Sequence, residues 1–124
     1  MEFLEACHLL ARDIRGAISG LVGTEKGGKN LCIGADGTPT KEIDRVAEDC
    51  VIAFLEKHPL CRTLISEEAG RVSLGGEKGT IFLDPIDGTY NAVAGIPFYA
   101  LSVAYAEDGI VLKGFVHDLA GGET

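Results

Sequence analysis

The spacing of the apolar residues changes once along the chain, near Pro59. Before this proline, apolar side chains recur every three or four residues over 2–22 and again between Thr40 and Pro59, which is the period of an amphipathic helix. After it, apolar residues come in short runs separated by glycine-rich segments, as in β-strands. Two long helices followed by several strands predict an α+β fold in which the helices pack on a largely antiparallel sheet.

Signals at the ends of these segments refine the prediction. Thr40 is a good N-cap for the second helix, and Pro59 ends that helix. Asp36-Gly37 predicts a tight reversal, and Glu107-Asp108-Gly109 predicts a hairpin between two long apolar runs. The expected strands cover residues 31–34, 63–65, 80–83, 99–106 and 110–116, and a short helix is expected over 88–94.

The length and charge of the chain narrow its function. At 124 residues it fits one ordinary domain. Its net charge of −8 repels nucleic-acid phosphates and anionic lipid headgroups, so neither nucleic acid nor membrane is an expected partner. No apolar run reaches the roughly 20 residues needed to cross a bilayer. Charged residues also interrupt the first segment, where a secretory signal would be apolar. We therefore expect a cytoplasmic protein.

The cysteines and histidines do not have the spacing of a metal site. In the reducing cytosol we expect the cysteines to be free thiols in or near the core. The histidines are too scattered to form a metal pair, and we expect them to have surface or packing roles. These residues are Cys7, Cys32, Cys50, Cys61, His8, His58 and His117.

The most informative short segment is residues 81–89, Ile-Phe-Leu-Asp-Pro-Ile-Asp-Gly-Thr. An apolar strand delivers Asp84 at its carboxyl end, a proline interrupts the ladder, and Gly88 permits a tight bend, so Asp84 and Asp87 can point at one spot. Two carboxylates held so close repel each other unless a cation neutralises them or one of them takes up a proton. Oxygen ligands, including the Ile86 carbonyl, suit Mg²⁺, Mn²⁺ or Ca²⁺.

Two further acidic groups lie at the ends of predicted elements. Glu67 and Glu68 follow a predicted strand, and Ser66 is expected to orient their loop. Asp44 lies in the first turns of the second helix, with Asp36 in the loop before it. Ligands of open sheets gather at strand ends, so these acids are candidates for the same site.

Each acidic group also has an ordinary explanation. Asp-Pro and Asp-Gly are common in turns, an acid near a helix start complements the helix dipole, and a Glu-Glu pair can be a solvated loop. However, the three groups together hold six acids, against a net charge of −8. The convergence of three such groups at element ends favours a divalent-cation site over these alternatives.

These segments resemble the inositol monophosphatase and fructose-1,6-bisphosphatase superfamily of metal-dependent phosphatases. Residues 84–89, Asp-Pro-Ile-Asp-Gly-Thr, are similar to its D-P-[IL]-D-G-[ST] signature, and residues 66–70, Ser-Glu-Glu-Ala-Gly, resemble its upstream acidic strand end. Residues 34–44 are most similar to the archaeal-type bifunctional branch. The resemblance implies that residues 1–124 form the amino-terminal metal-binding part of a layered α-β-α-β-α sandwich, without the family's carboxy-terminal α/β domain.

The resemblance also implies a set of metal ligands. Glu67, Asp84 and the Ile86 carbonyl would hold a first metal, and Asp84 and Asp87 a second, with a third bound more loosely near Glu67. The expected cofactor is Mg²⁺, with Mn²⁺ as the alternative.

The same resemblance assigns the reacting groups. Thr89 and Asp44 would polarise the attacking water, Glu68 would belong to the catalytic group, and the N–H groups of Gly88 and Thr89 would hold the phosphate. The implied reaction is hydrolysis of fructose 1,6-bisphosphate, inositol monophosphate or both by a metal-activated water.

Several expectations concern what lies beyond these motifs. Residues 120–124 predict a turn, after which family members continue into a second half that supplies another metal ligand and most sugar contacts. Full activity is therefore expected to need that half, and an exposed sheet edge is expected to favour a homodimer. Two alternatives stay open: a non-catalytic cation-binding or dimerising module, and a phosphatase of nucleotide 3′-phosphates.

Overall fold

The helices and strands follow the change of apolar period seen in the sequence. The computed structural model describes residues 2–35, 37 and 39–121, and this part contains three helices and seven strands. In chain order they are α1 (Phe3–Ile18), β1 (Asn30–Ile33), β2 (Pro39–Lys41), α2 (Glu42–Lys57), β3 (Thr63–Ser66), β4 (Gly70–Ser73), β5 (Thr80–Asp87), α3 (Thr89–Ala94), β6 (Ala100–Glu107) and β7 (Ile110–Asp118).

Five of the strands form one mixed sheet in the order β4-β3-β5-β6-β7. The neighbours β3 and β5 run parallel, and the other neighbouring pairs are antiparallel. The strands β1 and β2 pair separately as a small antiparallel hairpin. The α+β fold with a largely antiparallel sheet is thereby confirmed.

The core lies between the two long helices and one face of the sheet. Ile14 of α1 and Val51 of α2 are fully buried, as are Leu64, Ile81 and Leu101 on three adjacent strands. Each such aliphatic side chain contributes about 1.5–3 kcal/mol on burial, so the helix-to-sheet contact is the main stabilising feature. Because α2 packs against β5, the start of α2 lies near the end of that strand.

Several boundaries differ from the prediction. Helix α1 ends at Ile18, because the next residues form turns in which the Leu21 and Val22 N–H groups donate to the Ile18 carbonyl. The prediction that Thr40 caps α2 is wrong, since Thr40 lies in β2 and the N-cap is Lys41. The reversal between β1 and β2 is confirmed by their pairing, with Gly37 at φ +86°. Asp36 lies outside the described residues.

The strands β2 and β4 were not predicted, and β5 continues to Asp87, four residues beyond its predicted end. The other predicted strands shift by one or two residues at their ends. The turn expected after β7 begins with the N–H groups of Ala120 and Gly121, which donate to the Asp118 carboxylate. Residues 122–124 of that prediction lie outside the described residues.

The thiols and imidazoles have largely the packing roles expected of them. Cys7 and Cys61 are buried and Cys50 is half-buried, but Cys32 is exposed on β1, where it contacts Arg45. The expectation of a near-core position is therefore wrong for Cys32, because β1 belongs to the separate small hairpin. Burial raises the pKa of Cys7 to about 12. The His117 ring stacks on the Phe115 ring.

None of the helices in residues 2–35, 37 and 39–121 is both long and apolar enough to cross a bilayer.

Candidate metal centre

All eight residues assigned to the site lie around one cleft of about 440 Å³. The cleft lies at the carboxyl ends of the parallel strands β3 and β5, next to the start of α2. These residues are Asp44, Glu67, Glu68, Asp84, Ile86, Asp87, Gly88 and Thr89. The fold thus brings together three segments that are separated by up to 45 residues in the sequence.

An irregularity in strand β5 places its two aspartates. Asp84 pairs with Ser102 of β6, and Asp87 pairs with Ala100, so β5 contains one extra residue over this interval. Such a bulge re-aims side chains that would otherwise alternate strictly across the sheet. The Ile86 N–H also donates to the Asp84 carboxylate at 3.2 Å, which fixes the turn between the two acids. Proline at position 85 therefore disturbs the ladder as predicted, although the strand continues to Asp87.

The carboxyl groups of Asp84 and Glu67 are in hydrogen-bond contact. Burial raises the pKa of Asp84, and the negative charge of Asp87 raises it further, while the hydrogen bond with Glu67 acts in the opposite direction. A direct contact between two carboxyl groups requires that one of them carry a proton or that a cation replace it. The predicted electrostatic crowding is therefore present at this point.

The turn between β3 and β4 carries Glu67 and Glu68. The Ser66 hydroxyl accepts a hydrogen bond from the Ala69 N–H at 3.1 Å, which closes the turn around the two glutamates. This confirms that Ser66 orients the loop. The Thr40 hydroxyl donates to Glu68 Oε2 at 2.7 Å, and this bond explains why Thr40 does not cap α2.

The start of α2 contributes Asp44, which is 4% exposed. Its Oδ1 accepts from the Thr89 hydroxyl at 2.7 Å, and its Oδ2 accepts from the Lys41 N–H at 3.1 Å. The predicted pair of Asp44 and Thr89 is therefore in direct contact. Thr89 is the first residue of α3, so this bond joins two helices across the cleft.

The donor atoms in the cleft fit a hard divalent cation in their chemistry. Carboxylate and carbonyl oxygens are the ligands preferred by Mg²⁺ and Mn²⁺. In residues 2–35, 37 and 39–121, no three His, Cys, Asp or Glu side chains form a group that could by itself hold an ion. A cation bound between Asp84 and Glu67 would take the place of the proton that their contact otherwise requires.

A sequence model of the inositol monophosphatase family matches residues 5–124. The chain belongs to the inositol monophosphatase family. Asp84 and residues 86–89, which resemble the family's signature, line the cleft.

Relatives of this family member include phosphatases of archaea. It is 48% identical to a fructose-1,6-bisphosphatase/inositol-1-monophosphatase of Methanothermobacter thermautotrophicus over 92% of the chain and 45% of that enzyme. It is also 47% identical to a bifunctional NADP phosphatase/NAD kinase of Methanococcus maripaludis, over 84% of the chain and 19% of that protein.

A solved structure from Pyrococcus horikoshii, described as similar to inositol-1 monophosphatase, matches with a TM-score of 0.76 and 30% identity. The match covers 95% of this chain and 44% of that one. The chain thus spans less than half the length of these relatives.

Two residues near the cleft of this family member were not predicted from the sequence. Lys41 lines the cleft and donates through Nζ to the Asn30 side chain, so it brings a positive charge beside the acids. Glu48 lies behind the cleft wall and binds Ser66. Asp44 and Glu48 are four residues apart on α2, and this spacing is the signal that could have indicated a common helix face.

Proposed function

We propose that this chain provides the metal-binding and water-orienting part of a phosphomonoesterase that acts on fructose 1,6-bisphosphate, inositol monophosphate or both. Mg²⁺ is the proposed cofactor, and Mn²⁺ is the alternative. The remaining substrate contacts are proposed to come from outside these 124 residues, since the relatives named for these activities are about twice as long.

The single observation that carries the proposal is the contact between Glu67 and Asp84 in a cleft that all predicted site residues line. In this assignment Glu67, Asp84, Asp87 and the Ile86 carbonyl hold the cations. A bound divalent cation supplies Lewis acidity, which neutralises charge on the transferring phosphoryl group and makes water a better nucleophile.

The contact between Thr89 and Asp44 defines how a water would be oriented. Because the Thr89 hydroxyl donates its proton to Asp44, the lone pairs of its oxygen are left to accept a hydrogen bond from a water in the cleft. Glu68, also on the cleft wall, is proposed to assist this step, and the N–H groups of Gly88 and Thr89 are proposed to contact the phosphate.

A second candidate substrate is NADP. It is favoured by the 47% identity to a protein named as a bifunctional NADP phosphatase/NAD kinase, since that match also covers most of the chain. The chemistry at the cleft would be the same, and the substrate contacts would differ.

Phosphate release tests the proposal. The chain is fused ahead of the remaining part of the Methanothermobacter relative, and release from fructose 1,6-bisphosphate, inositol 1-phosphate and NADP is measured with Mg²⁺. Asp84→Asn and Asp87→Asn should each reduce the rate at least about 100-fold, while Asp13→Asn, an exposed acid on α1, should not. Wild-type rates in both cleft variants would refute the ligand assignment. Cation binding without phosphate release would favour a non-catalytic module.

We further propose that the chain forms a homodimer through strand β7. Among the described strands β7 is at an edge of the sheet, and Ile110, Val111 and Leu112 at its start are 64%, 63% and 53% exposed. An exposed apolar edge recruits another strand. Light scattering of the chain should give a dimer mass, and Val111→Lys should give a monomer. The four free cysteines support a proposed cytoplasmic location.

A further inference from the structure

Glu48 is a buried carboxylate that the proposed chemistry does not use. It lies on α2, one helical turn after Asp44, is 3% exposed, and is not among the residues that line the cleft. Its Oε1 accepts a hydrogen bond from the Ser66 hydroxyl at 2.5 Å, and its Oε2 has no hydrogen-bond partner among the described residues. A carboxylate buried in this way costs free energy that an apolar side chain of similar size would not.

The Ser66 hydroxyl transmits this contact to the turn that carries the glutamates. Ser66 is 5% exposed, and its single proton is committed to Glu48. Its lone pairs consequently face the Ala69 N–H, which donates to them at 3.1 Å. Glu67 and Glu68 lie between the two ends of this bridge, and the Ala69 N–H also interacts directly with the Glu48 carboxylate, so the helix holds both ends of the turn.

Other ties to the same turn come from the β1–β2 segment. The Ala35 N–H donates to the Glu68 carbonyl at 3.0 Å, and the Thr40 hydroxyl donates to the Glu68 carboxylate at 2.7 Å. These bonds act on Glu68. The bridge through Ser66 instead holds the residue immediately before Glu67. Glu67 is the carboxylate in contact with Asp84.

We propose that Glu48 is a positioning residue, which holds the turn of residues 66–69 so that Glu67 and Glu68 face the cleft. The inference rests on the proposed function for what these carboxylates bind. Glu48 does not line the cleft, and it acts through its contacts with the Ser66 hydroxyl and the Ala69 N–H.

Cation affinity of the 124-residue chain, measured by calorimetry with Mg²⁺, gives the first test. Glu48→Ala and Ser66→Ala should each weaken binding about tenfold, as is usual when a residue that orients a metal ligand is removed. The loss in the double variant should be clearly smaller than the sum of the two single losses in free energy, because both changes act on the same small network of hydrogen bonds. Glu48→Gln should stay within about twofold of wild type, since the amide oxygen still accepts from Ser66.

Two further measurements separate positioning from general stability. Val51→Ala on the same helix removes part of a fully buried side chain that forms none of the hydrogen bonds of the turn, so it should lower the free energy of unfolding and leave cation affinity unchanged. Hydrogen exchange of the Ala69 amide is measured without cation. Ser66→Ala should accelerate this exchange about ten times more than Val51→Ala does. Ser66→Ala removes one oxygen atom, so it serves as the mild variant if Glu48→Ala does not fold.

The outcomes are distinct. Additive losses in the double variant, unchanged affinity in the single variants, or an Ala69 exchange rate that follows overall stability would each overturn the positioning role. Failure of the wild-type chain to bind Mg²⁺ would refute the proposed function instead, and the exchange experiment would still decide whether Glu48 holds the turn.

Discussion

Replacement of Gly88 by alanine should destabilise the protein through two separable effects. Gly88 precedes α3 with φ +103° and ψ +38°, in the left-handed region that side chains other than glycine rarely adopt. A Cβ at this position would also lie 2.9 Å from the Phe98 carbonyl oxygen and 3.3 Å from the Tyr99 Cα. Both neighbours are backbone atoms, so they cannot move aside as a flexible side chain would.

The size of the effect follows from these two features. The left-handed backbone costs about 1–2 kcal/mol for an L-residue, and overpacking against fixed neighbours typically adds about 1–3 kcal/mol. Gly109 is a matched control, because it has φ +78° and open space around its Cβ position. Gly109→Ala should therefore lose the backbone contribution alone.

Urea unfolding of the three proteins, followed by circular dichroism, measures the difference. Gly88→Ala should lower the free energy of unfolding by about 2–5 kcal/mol and Gly109→Ala by about 1–2 kcal/mol. Relief of the contact would move Thr89 away from Asp44, so the Gly88 variant should also bind cations more weakly. Equal losses in the two variants would show that the close approach of residues 98 and 99 is not as the structure has it.

Other predictions concern single hydrogen bonds and protonation. Thr89→Val removes a donor to the buried Asp44 and should lower the free energy of unfolding by about 1–3 kcal/mol. Thr89→Ser keeps the hydroxyl and should lower it less. Equal losses of the two variants in urea unfolding would contradict this prediction. Burial raises the pKa of Glu48 above its ordinary 4.5, so the stability linked to its protonation is complete below that value and is lost as the pH rises through the folded pKa. The urea midpoint of Glu48→Gln should accordingly rise relative to that of the wild type as the pH increases past 4.5. A difference between the two midpoints that does not change with pH would contradict this prediction. The hydrogen bond to Glu107 raises the pKa of Tyr105 to about 12, so Tyr105→Phe should remove the last phenol to ionise in an ultraviolet titration; loss of a phenol with a pKa near 10 would contradict the assignment.

The long elements were predictable because their signals are local. The apolar stripe of α1 continues over four turns, and the hairpin of β6 and β7 has a clear turn at residues 107–109. The strand β4 gave no such signal, since it has four residues, lies at the sheet edge and contains no apolar run. The prediction that Thr40 caps α2 was wrong for a different reason. Its hydroxyl binds Glu68, 28 residues away, and a local capping rule takes no account of such a distant partner.

The acids of the site were also predictable, because each follows a recognisable strand or begins a helix. Parallel pairing of β3 with β5 then brings Glu67 beside Asp84, as the rule for strand ends implies. The roles of Lys41 and Glu48 were not predicted. The spacing of Asp44 and Glu48 indicates a shared helix face, but what that face contacts depends on how α2 is rotated against the sheet. That rotation is set by packing of the whole core. The sequence pattern indicates only which face of the helix is apolar.

Mn²⁺ titration of the isotope-labelled chain, followed by nuclear magnetic resonance, tests the central claim most directly, because the paramagnetic ion broadens signals of nearby nuclei. The amide signals of Glu67, Ile86 and Asp87 should broaden first, at substoichiometric Mn²⁺, and Mg²⁺ should reverse the effect. Broadening that is uniform over the acidic surface, or that begins elsewhere in the chain, would contradict a cation site built from these three segments.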